Sequence, residues 1–448
     1  MTEENALGLD DLATGTCCYL RTADGRFLAF TRRAGFHLAG THARTWFEIA
    51  YTGDQRALLR CAHGPYLCAC PDGRFTPAQS ASGWESFEVR SNEEGGLTLR
   101  SIHGGYVAAA EDRDGITLRE SPPSRCERID LVAAFSTSEY ERALCASRPA
   151  EKVVWAFWHA GSRALCPFYA LNLRTWSHIL GPDWRIHVLN AVEGDEHNVR
   201  RFVDANLLPA SFDRLAPIVQ SDAVRLALLS AYGGVWMDVG ILLLKGLDEI
   251  CWNRMEGPDS RTLLGGFFTS GWGSDHLERR DVFESWFIAA RANNAFVECW
   301  RQAFVEYWGD RTRSSDIAAH RLFESIELSN FQRYGVDLRD YLTPHVMFRW
   351  VLESNPHMRS IWKHNMHLCD SWDDPFLLPR LIGWQGEDVR RALIGPCRED
   401  LRQALSGTSL LKFTGGMTAG LSDLREEALL DPRSTLGRLY QQVFRTRT

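Results

Sequence analysis

"SDAVRLALLSAYGGVWMDVG", residues 221–240, decides how the second half of the chain is read. Ser221 suits the cap of a helix, Val224, Leu228 and Leu229 fall on one stripe at helical spacing, and Gly233-Gly234 supply a stop. The next stretch, "VWMDVGILLL", is a nearly continuous apolar run of the kind a buried strand needs, with one carboxylate, Asp238, set into it. Asp222 and Arg225, three residues apart, share a face of the helix. In open α/β sheets, ligands gather at strand ends and the loops that follow them. Asp238 is therefore expected beside a crevice, with Asp222 and Arg225 facing it.

The neighbouring stretches have the same order. "KVVWAFWHAG" (152–161) reads as a buried strand closed by glycine, "FYALNLRTWSHIL" (168–180) as a helix and "WRIHVLN" (184–190) as a second strand. Strand, helix and strand repeating in this way predict an open α/β sheet for residues 151–448. "LREEALLDPRSTLGRLYQQVF" (424–444) reads as an amphipathic helix that caps it.

The first 135 residues differ in kind, because they repeat. "YLRTADGRFLAF" (19–30), "LLRCAHGPYLCAC" (58–70) and "LRSIHGGYVAAA" (99–110) align Leu20-Arg21, Leu59-Arg60 and Leu99-Arg100, with Gly25, Gly64 and Gly104 in the turns. Phe27, Tyr66 and Tyr106 follow those turns and are expected to point inward. Each unit closes on another strand, "TWFEIA", "WESFEVR" or "ERIDLVA", in which Phe47, Phe87 and Ile129 hold matching places. One unit of about forty residues cannot bury its apolar face, but three can share a core. The expectation is a β-trefoil over 15–135, with 1–14 a flexible N-terminus and 136–150 a short helical or irregular linker.

Composition narrows the function. A net charge of -7 over 448 residues excludes a general nucleic-acid binder, which needs a basic footprint. The N-terminus lacks the basic flank and apolar core of a signal peptide, and apolar runs such as "GILLL" are too short to span a bilayer, so a cytoplasmic protein without a membrane span is expected. Its twelve cysteines are then expected to stay reduced. Cys61, Cys68 and Cys70 lie in a strand pattern without a second C-x-x-C and read as core thiols, not a zinc site. Only four of the 50 basic residues are lysines, Lys152, Lys245, Lys363 and Lys412, a skew read as the base composition of a GC-rich bacterial genome.

The stretch S-D-x-x-R-x-x-x-L-x-x-x-G-G-x-[YW]-x-D resembles the signature of GT-A-fold nucleotide-sugar glycosyltransferases, in particular the capsular-polysaccharide-synthesis family and its relatives with a D-x-D sugar-binding region. The resemblance runs from residue 151 to about 415. It implies that Asp222 and Arg225 contact the donor sugar and that Asp238 helps place a divalent cation, Mn²⁺ or Mg²⁺, on the diphosphate. These three become the expected catalytic residues, and Asp238 the metal ligand. The second acid of a D-x-D pair is replaced by Gly240. A basic side chain supplying the charge without a metal is the alternative. Asp275, Glu278, Asp281 and Glu284 are the other possible sources of a second carboxylate.

The further donor-side residues are Trp158 (stacking on the base), His159, Trp236, and Lys412 and Thr414 in "SLLKFTGGM", where the lysine can close over the diphosphate. "ESWFIAARANNAF" resembles a family helix that follows the acceptor side, and "YLTPHVMFRWVLESNP" resembles a family helix, bearing His345, to which no role is assigned. The first region, 15–135, resembles fascin-like trefoils, which imply docking or glycan binding. The resemblance implies transfer of a sugar from a UDP- or GDP-sugar to a hydroxyl of a glycan or natural product, with retention of anomeric configuration. The alternative is an inactive, transferase-like scaffold whose trefoil binds glycan or protein.

Overall fold

The computed structural model describes residues 6–445 except 32, 54, 63, 93–95, 111–114, 258–259, 270–282, 324–325, 327, 329–330 and 334–335. The N-terminal region is rich in β-sheet. Its twelve strands fall into three runs of four: β1 (Cys17–Thr22), β2 (Phe27–Thr31), β3 (Gly35–Ala39) and β4 (Phe47–Gly53); β5 (Arg56–Cys61), β6 (Tyr66–Ala69), β7 (Phe75–Ala78) and β8 (Ser86–Ser91); β9 (Leu97–Ser101), β10 (Tyr106–Ala109), β11 (Ile116–Arg119) and β12 (Ile129–Ala133). The internal alignment of the sequence is reproduced in the pairing. Arg21 sits opposite Phe27, Arg60 opposite Tyr66 and Arg100 opposite Tyr106. Gly25, Gly64 and Gly104 all have positive φ, the backbone state that these three tight turns require. Phe47, Phe87 and Ile129 are buried together in one core. Tyr106 departs from the pattern and is only partly buried.

In the stretch 6–14, Leu7 is buried and donates its amide to the Leu131 carbonyl at 2.9 Å, and Thr14 Oγ1 donates to the Tyr51 carbonyl at 3.3 Å. The stretch 136–150 contains a helix, α1 (Thr137–Ala146), started by a reciprocal cap between Ser136 and Glu139. Ala143 and Leu144 belong to the core of the α/β region, so this connection is packed structure.

The α/β region is built on a six-stranded sheet in the order β14-β13-β15-β18-β17-β21. These are β13 (Val153–Phe157), β14 (Arg185–Leu189), β15 (Gly234–Met237), β17 (Leu264–Phe268), β18 (Phe283–Ala290) and β21 (Met366–Asp370). Two small ribbons complete the strands, β16 (Ile241–Leu243) with β22 (Leu410–Lys412) and β19 (Gln332–Arg333) with β20 (Val336–Asp337). β13, β14 and β15 run parallel, but β18 is antiparallel to both its neighbours. The helix expected in "ESWFIAARANNAF" is thus a strand, followed by a helix over Ala295–Trp308. An eight-residue segment with six apolar residues fits either state by periodicity, and burial on both faces of the sheet decided it.

Helix α2 (Pro167–Leu180) lies between β13 and β14, and α3 (Pro217–Ala231) precedes β15. α3 begins one turn before Ser221: Pro217, with its φ already set for a helix, takes the first turn and Ala216 the cap position. It is buried on nearly every side from Gln220 to Ser230. Gly233 and Gly234 then turn the chain at φ +64° and +91°, where a Cβ would come within 2.5 Å of the Ala292 amide and of Val153 Cγ1, respectively. The C-terminal tail forms two helices, Glu426–Leu429 and Thr435–Arg445, split around Asp431-Pro432.

The two regions meet through buried polar contacts. Trp46 Nε1 donates to the Glu353 carbonyl at 2.8 Å. Glu48 on β4 pairs with Arg359, 3.2 Å away, and with Lys363. Among the described residues, no helix is long and apolar enough to cross a membrane. Cys61 and Cys68 are buried within the β-rich region.

Candidate active site

β15 ends at Met237, and Asp238 opens the turn that carries the chain into β16. The Asp238 amide is held by the Trp286 carbonyl of β18 at 3.0 Å, and the Ile241 amide returns to the Asp238 carbonyl at 3.1 Å. The carboxylate is thereby aimed past the C-terminal end of the parallel strands into a cavity of ≈ 730 Å³. The turn after β13 contributes Trp158 and His159 to the wall, α3 contributes Asp222 and Arg225, β18 contributes Glu284 and Trp286, and β22 with the residues just after it contributes Lys412 and Thr414. This is the strand-end crevice expected from the fold class.

A chain of charges crosses its floor. Arg225 Nη1 donates to Asp222 Oδ1 at 2.5 Å, and Nη2 donates to Asp238 Oδ1 at 3.1 Å. Lys412 Nζ donates to Asp238 Oδ2 at 2.7 Å. Trp236 Nε1 donates to Asp238 Oδ1 at 3.0 Å, and the Arg225 guanidinium lies 4.9 Å from the Trp236 ring centroid. Arg225 and Lys412 are buried, whereas the Asp238 side chain keeps 28% of its surface exposed. Buried charges persist only when paired, and α3 and β22 supply the pairs.

Burial pushes the Asp222 carboxyl up to about 6, against the pull of Arg225 and with the added repulsion of Asp238. Burial also works to raise Asp238, but Lys412 and Arg225 outweigh it and leave this carboxyl below its ordinary value. Asp222 thus loses its proton near pH 6 while Asp238 is already ionised. Because Arg225 needs the ionised Asp222 to hold it, activity is expected to fall on the acid side with an apparent pKa near 6. Profiles of kcat/KM against pH for the wild type and Asp222→Asn check this: the limb disappears in the variant if Asp222 is its source.

Glu284, grouped in the sequence with three other acids, is brought to the cavity. It accepts from Trp286 Nε1 at 2.7 Å and from the Thr269 hydroxyl, and burial raises its carboxyl despite those bonds. Asp275, Glu278 and Asp281 lie outside the described residues. Trp158 is half-buried with its ring 5.2 Å from that of Tyr169, and His159 meets Gln220 Oε1 through Nδ1 at 2.7 Å. Trp236 does not line the cavity: it is fully buried and acts beneath the site, holding Asp238. His345, which the sequence left without a role, is on the wall. Burial, helped by Arg225, lowers it to about 3, so its imidazole is neutral, and among the described residues its Nδ1 has no hydrogen-bond partner.

Sequence reasoning missed the aromatic side of the cavity, Tyr341, Trp372, Phe376 and Trp384, which come from the turns that flank the helices Thr343–Ser354 and Leu377–Ile382. The Phe376 and Trp384 rings are 5.1 Å apart, and Trp286 lies 5.5 Å from Phe376. The only signal for them in the sequence was the abundance of tryptophan.

Among the described residues, the carboxylates that the expected Mn²⁺ or Mg²⁺ would use already have side-chain partners. Three described carboxylates reach the cavity, and each is engaged: Asp222 by Arg225, Asp238 by Arg225, Trp236 and Lys412, and Glu284 by Thr269 and Trp286. Among the described residues, no group of three or more histidine, cysteine, aspartate or glutamate side chains is arranged to hold a metal ion. Hard cations of this kind take several oxygen ligands.

The model of a family described as "Capsular polysaccharide synthesis protein" matches residues 131–355, half of the chain. The O-glycosyltransferase braB of Annulohypoxylon truncatum is 30% identical over 311 residues, which cover 60% of this chain and 72% of that protein. Glycosyltransferase afumC of Aspergillus fumigatus is 35% identical over 306 residues, 60% of this chain and 75% of that protein. The probable glycosyltransferase FCK3 of Fusarium pseudograminearum is 34% identical over 205 residues, 44% of this chain and 49% of that protein. These relatives are fungal, and the bacterial origin read from the arginine skew finds no support among them. Solved structures of Cry35Ab1 and of SeviL bound to asialo-GM1 saccharide align with TM-scores of 0.26 and 0.24, too low to establish a shared fold.

Proposed function

Because this chain belongs to the capsular polysaccharide synthesis protein family and is a glycosyltransferase, we propose that it moves a sugar from a nucleoside diphosphate to a hydroxyl of its acceptor. The observation that carries this reading is the Asp222–Arg225–Asp238–Lys412 chain on the floor of the strand-end cavity. Departure of a nucleoside diphosphate builds negative charge on its phosphate oxygens, and fixed cations at that place lower the barrier. Asp222 and Arg225 meet the donor sugar's hydroxyls, His159 and Thr414 flank the diphosphate, and Trp158 stacks on the base. The bond from C1 to the phosphate oxygen breaks with its electron pair, the acceptor oxygen bonds C1 with retention, and the acceptor proton ends on the leaving diphosphate. The aromatic side of the cavity suits a ring-bearing acceptor, glycan or natural product.

In this reading the α/β region, 151–448, is a GT-A fold. The threefold strand plan of 15–135 is a β-trefoil that docks onto it or holds a glycan.

The test is release of nucleoside diphosphate from a panel of UDP- and GDP-sugars. Turnover of one of them names the donor. Trp158→Ala is then expected to raise the donor KM by about tenfold with little change in kcat, in proportion to one base–aromatic stack of ~1–3 kcal/mol. Absence of both turnover and nucleotide binding across the panel favours the non-catalytic scaffold.

A further inference from the structure

The place where a cation is wanted is already taken by one. Asp238 Oδ2 accepts from Lys412 Nζ at 2.7 Å, and a Cβ built on Gly240 would lie 3.9 Å from the same nitrogen. The lysine ammonium therefore stands where two carboxylates at 238 and 240 would converge. The backbone enforces this arrangement. β16 pairs antiparallel with β22, placing Ile241 opposite Lys412, and the Phe413 amide donates to the Gly240 carbonyl at 2.9 Å. That pairing brings the Phe413 carbonyl within 2.7 Å of where a Cβ at 240 would be, so a second acid has no room.

Lys412 is buried and built in. Its amide is held by the Pro375 carbonyl at 3.1 Å, and its ammonium lies 5.7 Å from the Trp286 ring centroid while still lining the cavity. An ammonium has three donors, of which Asp238 uses one.

We infer that Lys412 does the work of the divalent cation: it holds the diphosphate of the donor and neutralises the leaving oxygen, and transfer proceeds without a metal. The inference rests on the transferase reading above. As the bond from C1 to the phosphate breaks, its electron pair stays on the diphosphate oxygen facing Lys412. Asp238 then has a different task from the one expected of it: it is a positioning residue that fixes the lysine and Arg225.

The experiment uses the full chain and two readouts, calorimetric binding of UDP or GDP and release of the diphosphate from the donor found in the panel. Each is measured with EDTA and with Mn²⁺. The wild type in EDTA is expected to bind and turn over within about twofold of its Mn²⁺ values. Lys412→Met is expected to lose about a hundredfold in both affinity and rate, the scale of one charge-stabilising donor. Lys412→Arg, which keeps the charge, should recover part of each. Loss of binding and turnover by the wild type in EDTA, restored by Mn²⁺, overturns the inference while leaving the transferase reading intact. Full binding by Lys412→Met also overturns it. If no nucleotide binds under any condition, the transferase reading falls and takes this inference with it. Should Lys412→Met fail to fold by its thermal transition, the wild-type comparison and Lys412→Arg decide.

Discussion

Asp238→Asn reduces sugar transfer by about 10²–10³ in kcat/KM, the range found when a single preorganised charge-stabilising group is removed from an active site. The amide keeps the shape of the carboxylate but not its charge, and its NH₂ must face either Lys412 or Arg225, donor against donor. One of the two cations swings away from the diphosphate, and the other keeps a neutral partner. The same substitution costs about 1–3 kcal/mol of stability, because a buried donor loses its acceptor. Initial rates of diphosphate release with a parallel thermal melt separate the two effects. A folded variant within about tenfold of the wild type would remove Asp238 from the reaction.

Glu48→Ala destabilises the whole chain by about 3–5 kcal/mol, the cost of breaking a buried ion pair by removing one partner. Glu48 and Arg359 each keep only 5% of their side-chain surface exposed, and Lys363 stands beside them with its ammonium lowered to about 8 by burial. Taking away the carboxylate leaves two cations in the contact between the β-rich region and the helix Pro356–His364. Changing Glu48, Arg359 and Lys363 together to methionine should recover most of that loss, since no charge is then left in a desolvated place. Urea unfolding of the two variants against the wild type checks both expectations. A single variant within about 1 kcal/mol of wild type would mean that water reaches the pair and screens it.

The site was legible where its residues are close in sequence. Asp222, Arg225 and Asp238 lie within one helix-turn-strand unit, so spacing alone placed them together, and the structure brings all three to the cavity. Trp236 was visible as a motif position, but although it shares a face of the strand with Asp238 two residues on, it is fully buried and holds Asp238 from beneath, off the cavity wall. Lys412 was singled out for its rarity and its glycine neighbours, yet its contact with Asp238 spans 174 residues and exists only because β22 pairs with β16. Periodicity carries no information about such a pairing. Glu284 was lost among four acids because its strand has no alternation to distinguish it from a helix. The threefold plan of the β-rich region was the clearest signal of all, since a repeat states its own register and the pairs Arg21–Phe27, Arg60–Tyr66 and Arg100–Tyr106 needed no long-range knowledge. Its docking through Glu48 and Trp46 was invisible for the opposite reason: both contacts join residues more than three hundred positions apart.

The pairing of β16 with β22 also sets terms for how this sequence can drift. Position 240 lies against the backbone that carries position 412, so an acid at the first meets the Phe413 carbonyl as long as that ribbon keeps its register. A lineage moving between a one-acid and a two-acid site must therefore remodel the ribbon and give up the lysine along with the glycine. In an alignment of related chains, glycine at 240 and lysine at 412 should be gained and lost as a unit, and the mixed combinations should be rare.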